Sequence, residues 1–268
     1  MDVVVDIGNT RIKWGRCGAN GVTHTASLPF ASADWQRQIE VWSLTEPCTW
    51  AVSGVVPQRC DILVNWLRHR GNAVWVVDSY KQLPLTVNVQ RPEKVGIDRL
   101  LNAVAAAQNV PRGRLPAIVV DVGSAVTVDW VESGQEKGGR FRGGAIMPGF
   151  RLMAHALHDY TAMLPLLETP NKRPYMPGLT TEQAIEAGIF FSVLGGVNTL
   201  IRLLVEQSAK DPELCLQRPA NPPHLFLTGG DAHLLRLDLD FEADHWPEMT
   251  LEGIRLTADA QPPLTENQ

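Results

Sequence analysis

Twice in this chain a β-branched run ends in an acid, a glycine and a small hydroxyl or amide residue. The runs are Val3-Val4-Val5-Asp6-Ile7-Gly8-Asn9-Thr10 and Ile118-Val119-Val120-Asp121-Val122-Gly123-Ser124. Such a turn can hold a polyphosphate. The glycine lets backbone N–H groups approach phosphate oxygens, the hydroxyls donate hydrogen bonds, and the acid can carry a metal ion or its waters. Lys13 adds a positive charge just after the first turn. A strand-Asp-Gly turn also ends ordinary hairpins, so one copy would decide little. Two copies about one domain's length apart predict a duplicated fold with a nucleotide in the cleft between the halves.

Three further constellations carry chemistry. Gly96-Ile97-Asp98-Arg99 stands at a loop-to-helix junction. Asp98 there is either a helix cap or a carboxylate that accepts the proton of an attacking hydroxyl, with Arg99 orienting an anionic substrate through its planar fork. Gly143-Gly144-Ala145-Ile146-Met147-Pro148-Gly149 precedes a helix and reads as a loop forming the wall of a substrate pocket. Thr228-Gly229-Gly230 is a third strand-to-glycine turn, suited to a base or ribose lying against the backbone. His155 and His158 lack a carboxylate or Cys at ligand spacing and read as structural or surface residues.

The elements that must position these residues follow from periodicity. Strands are expected at 3–7, 12–17, 51–56, 73–77, 117–120, 126–131 and 224–227, with a polar glycine-rich turn after the second. Helices are expected around Trp35–Ser43, over Pro57–His69 with Gly71 as its stop, over Asp98–Asn109, after Pro148-Gly149, and from about Thr181 to Ser208. In that last helix Gly188, Gly195 and Gly196 predict a close packing partner. Ser133 to Gly139 reads as a hairpin loop, and Pro111-Arg112-Gly113-Arg114-Leu115-Pro116 as the boundary between domains. The expected division is 1–114, 115–260 and a disordered tail, 261–268.

Composition narrows the class. With 268 residues, 44% of them hydrophobic, the chain can bury two cores of ordinary size. No run approaches the roughly 18 consecutive apolar residues of a spanning helix, and the chain enters a strand containing Asp6 at once, so neither membrane insertion nor secretion is expected. Cys17, Cys48, Cys60 and Cys215 show no CxxC spacing and fit incidental thiols in a reducing cytoplasm. A net charge of −5 argues against nucleic acid as a partner. Arg68-His69-Arg70, Arg112, Arg114, Arg140 and Arg142 read as solvated charges, and the eight Trp residues as packing.

Taken in order, these motifs resemble the type III pantothenate kinases (Bvg accessory factor-like), a family of the acetate and sugar kinase/Hsp70/actin superfamily. The resemblance rests on DIGNT with Lys13, GIDR, DVGSAVTVD, GGAIMPG, the Thr180-Thr181-Glu182-Gln183-Ala184-Ile185 segment and the late TGG, spread over nearly the whole chain. It implies a two-domain α/β protein with a duplicated actin-like (ribonuclease H-like) ATPase fold and a nucleotide cleft between the domains. It implies phosphorylation of pantothenate by ATP, the first step of coenzyme A synthesis, in a cytoplasmic homodimer. By the same resemblance Asp6, Ile7, Gly8, Asn9, Thr10, Arg11, Ile12 and Lys13 bind the ATP phosphates with Mg2+, and Ser124 touches ATP. Asp98 accepts the proton of the pantothenate hydroxyl, while Gly96, Ile97, Asp98, Arg99 and the position of Val89 line the substrate. Asp121 binds a monovalent cation, K+ or NH4+, and Thr181 contacts pantothenate across the dimer interface. The sequence departs from the family at Ser124, usually Thr, at Val89, often Tyr, and at Thr180, commonly Asn. Two other outcomes stay open: a transcription accessory protein of the same family, and a kinase of another small hydroxy acid or sugar.

Overall fold

The computed structural model describes residues 1–110, 116–132, 138–208, 210 and 222–261. The predicted boundary segment from Pro111 to Leu115, Cys215, most of the Ser133–Gly139 loop and the tail beyond Gln261 lie outside the described residues. Two units are present, interleaved along the chain. One comprises Met1–Asn109, Ser133–Phe141 and Glu248–Gln268, the other Val110–Glu132 and Arg142–Pro247.

In unit 1, β1 (Val3–Ile7), β2 (Ile12–Gly18), β3 (Gly21–Leu28), β4 (Thr49–Gly54) and β5 (Ala73–Val77) form one sheet in the order β3-β2-β1-β4-β5. The first three strands are antiparallel neighbours; β1, β4 and β5 run parallel. Helices α1 (Ser32–Val41), α2 (Pro57–His69) and α3 (Ile97–Asn109) connect them onward. Pro57 opens α2, where its missing N–H costs nothing, and Gly71, at φ +80°, turns the chain beyond its end. The sequence reading passed over β3. Its Thr23-His24-Thr25 stretch is exposed on an edge strand and offers no apolar alternation to read.

The core of unit 1 gathers Val3, Val5, Ile7, Ile12, Leu63 and Leu67 around an aromatic cluster. Trp14 and Trp50 meet edge to face at 4.9 Å, and Trp35 does so with Phe30 at 5.1 Å. The tryptophans thus serve packing, as expected.

Unit 2 repeats the scheme. Its strands are β7 (Ala117–Val122), β8 (Ala125–Glu132), β9 (Arg140–Pro148), β10 (His224–Thr228) and β11 (Asp244–His245), in the order β9-β8-β7-β10-β11. Again the first strand is central, antiparallel to the second and parallel to the fourth. The same order of strands in both units is the duplicated ribonuclease H-like arrangement that actin-like ATPases share. The short β6 (Thr86–Val87) pairs in parallel with Arg140 and Phe141, the two β9 residues that group with unit 1.

Helices α4 (Phe150–Asp159), α5 (Thr181–Ser208) and α6 (Ala232–Leu235) complete unit 2. Thr181–Gln207 of α5 is long and apolar enough to cross a membrane by length and composition, one 18-residue window reaching a mean hydropathy of 1.8, although Ser192, Asn198 and Thr199 break the apolar run, so no unbroken apolar stretch of that length is present. Ile185, Ile189, Phe190, Val193, Val197 and Ile201 of that helix lie in the core of unit 2, with Ile118, Val120, Leu225 and Leu227. Of the three α5 glycines, only Gly196 meets a close neighbour, the Met147 side chain; Gly188 and Gly195 face open space.

The sequence reading assigned no element to residues 232–260. There α7 (Met249–Asp259) returns to unit 1 rather than to the C-terminal half. A Cβ on Gly253 would overlap the Leu101 carbonyl, so α7 seats backbone to backbone on α3. Thr250 Oγ1 donates to buried Asn102 Oδ1 at 2.8 Å, and Glu252 accepts from the Val22 N–H at 3.2 Å.

Candidate active site

In unit 1, half-buried Asp6 is the penultimate residue of β1 and stands in register with Lys13 across the antiparallel pair. Opposed residues share one face of a sheet, so a carboxylate and an ammonium stem are set side by side. Between them Gly8 donates to the Arg11 carbonyl at 3.1 Å and closes the turn. Asn9, Thr10 and Arg11 are exposed. Ile7 and Ile12 are 0% and 1% exposed, so their side chains belong to the core and only their backbone is left to contribute to a ligand.

The second expected constellation also belongs to unit 1. Gly96 precedes α3, and the Leu100 N–H reaches its carbonyl at 3.4 Å. Asp98 is therefore inside the first turn and is not its cap. Its Oδ1 accepts from the Arg99 N–H at 2.9 Å and folds back so closely that a Cβ on Gly96 would lie 2.5 Å away. A side chain at position 96 would therefore push the Asp98 carboxylate out of this orientation. The Arg99 guanidinium lies over the Phe141 ring, 5.5 Å from its centroid. The Asn88 N–H donates to the Phe141 carbonyl at 2.9 Å, which brings the segment carrying Val89 to the same strand. Phe141 is a residue that sequence reasoning missed, since nothing in Arg140-Phe141-Arg142 marks it.

In unit 2, Gly123 donates to the Ala125 carbonyl at 3.0 Å, and Asp121 stands opposite Thr127. Two glycines press on this turn from other elements. Gly229, at φ +100°, has room for no Cβ beside Asp121 and the Val122 carbonyl, and Gly149 has none beside the Gly123 carbonyl. The Gly149 N–H also donates to the Ser124 carbonyl at 3.1 Å. The Gly143–Pro148 segment is strand, not the expected loop, because Gly144 lies against the Val128 backbone as β9 continues alongside β8. The close backbone approach inferred from its glycines holds at Gly144 and Gly149.

Thr181 is the first residue of α5 and exposed; its neighbour Thr180 accepts from the Gln183 N–H at 3.2 Å and caps the helix. His155 and His158 lie on α4, and His158 bonds only the Leu164 carbonyl. Among the described residues no three His, Cys, Asp or Glu side chains cluster as a metal cage. Cys48 and Cys60 are buried, and burial pushes the Cys60 thiol up to about 11 and the Cys17 thiol up to about 12.

Two ribonuclease H-like units, each with an acid near the end of its central strand and a glycine turn beyond it, have the architecture of the actin-like ATPase class. The family model described as type III pantothenate kinase matches residues 3–203. The chain belongs to that family. A type III pantothenate kinase of Persephonella marina is 34% identical over 95% of this chain and 96% of its own length. One from Dichelobacter nodosus is 35% identical over 75% and 79% respectively. A solved structure from Campylobacter jejuni, described as a Baf family protein, is similar over 96% of this chain and 97% of its own, with a TM-score of 0.56 and 19% identity, a likeness of fold.

Proposed function

We propose that the chain transfers the γ-phosphoryl group of ATP to the hydroxyl of pantothenate, giving 4'-phosphopantothenate at the first step of coenzyme A synthesis. The observation that carries this reading is the alignment of relatives named for that activity over nearly the whole chain. A primary alcohol is a weak nucleophile, so the site needs a base and a way to disperse charge as the phosphoryl group moves.

Asp98 is the base. With Oδ1 committed to the Arg99 N–H, Oδ2 takes the hydroxyl proton as the alcohol oxygen bonds to the γ-phosphorus and ADP leaves. Arg99, steadied over Phe141, holds the pantothenate carboxylate through its fork. Lys13 and the N–H groups of Asn9 to Arg11 hold the phosphates, and Ser124 contacts ATP.

The described residues fit a divalent ion of the Mg2+ kind, which keeps several waters and needs one or two carboxylates beside substrate phosphates, not a protein cage. Asp6 would hold it, and when bound it would neutralise charge on the β- and γ-phosphates. Asp121 would hold the monovalent cation, K+ or NH4+. Thr127 Oγ1, on the same face, is buried without a hydrogen-bond partner among the described residues and offers a second oxygen there.

The homodimer belongs to this reading as well. Tyr160, Met163, Tyr175 and Leu179 expose 86% to 91% of their surface on the segment leading into α5, more apolar area than a solvated loop favours. Thr181 follows directly, and in this reading it contacts pantothenate bound to the partner subunit. The acidic chain works in the cytoplasm without nucleic acid.

The test is ATP-dependent formation of phosphopantothenate by purified protein with Mg2+, comparing K+ with Na+. Product that requires K+ supports the reading. An intact dimer that binds ATP and makes no product with either ion overturns it.

A further inference from the structure

We propose that Arg59 is a positioning residue of the phosphate turn in unit 1: from the first turn of α2 its guanidinium fixes the Asn9–Thr10 peptide in the orientation that receives ATP. The inference rests on the kinase reading for the identity of the ligand, and it adds a residue that no phosphate motif contains.

Three observations place Arg59. Its Nη1 donates to the Asn9 carbonyl at 2.9 Å, across 50 residues of chain. Its guanidinium carbon lies 5.4 Å from the centre of the Phe30 ring, which is itself packed edge to face on buried Trp35. Its own N–H bonds the Val56 carbonyl at the start of α2. The side chain is therefore fixed at its root, along its plane and at its tip.

The root is fixed relative to the turn as well. β4 ends at Gly54, where a Cβ would stand 2.6 Å from both Cβ and O of Ile7, and the next N–H, that of Val55, bonds the Ile7 carbonyl at 3.1 Å. The junction that starts α2 is thus clamped onto the end of β1, one residue before Gly8. Arg59 spans from this clamp to the exposed tip of the turn.

The physical consequence comes from the planar peptide. In a trans peptide the carbonyl and the following N–H point in opposite directions. Holding the Asn9 carbonyl toward α2 therefore turns the Thr10 N–H away from it. Asn9, Thr10 and Arg11 are exposed, and the Gly8–Arg11 bond that closes the turn does not by itself fix the plane of its middle peptide, to which the Arg59 bond is added. A hydrogen bond weakens steeply once its angle falls far from linear. A turn whose N–H directions are fixed before ATP arrives binds phosphate without first having to be ordered. Arg suits the task better than Lys, because one plane both stacks on Phe30 and presents directed donors.

The test compares wild type with Arg59→Met and Arg59→Lys by steady-state kinetics, by binding of a non-hydrolysable ATP analogue, and by thermal unfolding. Arg59→Met is expected to raise the KM for ATP and the analogue Kd about ten-fold, with kcat at saturating ATP and the KM for pantothenate within about two-fold of wild type. Arg59→Lys, which keeps a donor and the charge, should recover part of that loss. An unchanged analogue Kd in Arg59→Met overturns the inference. So does a fall in unfolding temperature accompanied by equal losses in kcat and both KM values, which marks a structural role. Wild-type protein inactive on pantothenate, with analogue binding still weakened in Arg59→Met, would overturn the substrate reading and leave the role of Arg59 standing.

Discussion

Gly54 and Gly229 occupy the same place in the two units: Gly54 ends, and Gly229 directly follows, the strand parallel to the central one, and each lies against the carbonyl of the residue after the acid, Ile7 in one unit and Val122 in the other. Each of those carbonyls is also bonded from just beyond the glycine, Ile7 O by the Val55 N–H one residue on at 3.1 Å and Val122 O by the Asp231 N–H two residues on at 2.9 Å. Each acid-bearing strand end is thus clamped from the neighbouring strand by a residue without a side chain.

Alanine at either glycine should therefore destabilise its unit, and Gly229→Ala more than Gly54→Ala. Both introduce a methyl group where backbone already stands, and Gly229 adds the cost of a left-handed backbone at φ +100°. We expect about 1–3 kcal/mol for Gly54→Ala and about 1–2 kcal/mol more for Gly229→Ala. Urea unfolding measures both, and a Gly229→Ala protein as stable as wild type would refute the clamp.

Asp98→Asn should lower kcat by about two to four orders of magnitude while leaving the ATP Kd within about two-fold. The amide keeps an acceptor for the Arg99 N–H and loses the base. Calorimetric ATP titration alongside turnover measures the split. Equal losses in binding and turnover would make Asp98 a structural residue of α3.

Gly253→Ala should weaken the seat of α7 on α3. The added methyl would strike the Leu101 carbonyl, and the overlap cannot be relieved by rotating a side chain. A loss of about 1–3 kcal/mol is expected in chemical unfolding. Faster proteolysis or hydrogen exchange in residues 249–259 would localise it.

Two shielded thiols, half-buried Cys17 and buried Cys60, set a limit at high pH. Desolvation by burial raises Cys17 to about 12 and Cys60 to about 11, above the usual value of 9.0. The folded protein therefore keeps its protons where the unfolded chain has begun to lose them. The stability these groups contribute is complete below pH 9 and is lost as pH rises through 9 toward 11 and 12. Iodoacetamide at pH 8 should label Cys60 far more slowly than the unfolded chain, and rapid native labelling of it would contradict its burial.

Much of this was legible in the chain, for local reasons. Val3–Ile7 and Ala117–Val122 announce themselves as buried strands by β-branched runs, and α2 by the spacing of Cys60, Leu63, Val64 and Leu67. The acid and glycine at each turn are chemistry written in adjacent residues. By contrast, β3 is polar on an edge, β9 reads as loop because its glycines suit a turn as well as a strand packed closely on β8, and α7 had no partner until α3 supplied one.

What the sequence determined by itself is whatever depends on neighbours along the chain: the two phosphate turns, the GIDR junction and the family they indicate. Only the tertiary structure decided what depends on neighbours in space. It placed Ile7 and Ile12 in the core, Phe141 beneath Arg99, α7 on unit 1 and Arg59 against the Asn9 carbonyl. Each of those contacts joins residues far apart in sequence, and neither member carries a mark of the other until folding brings them together.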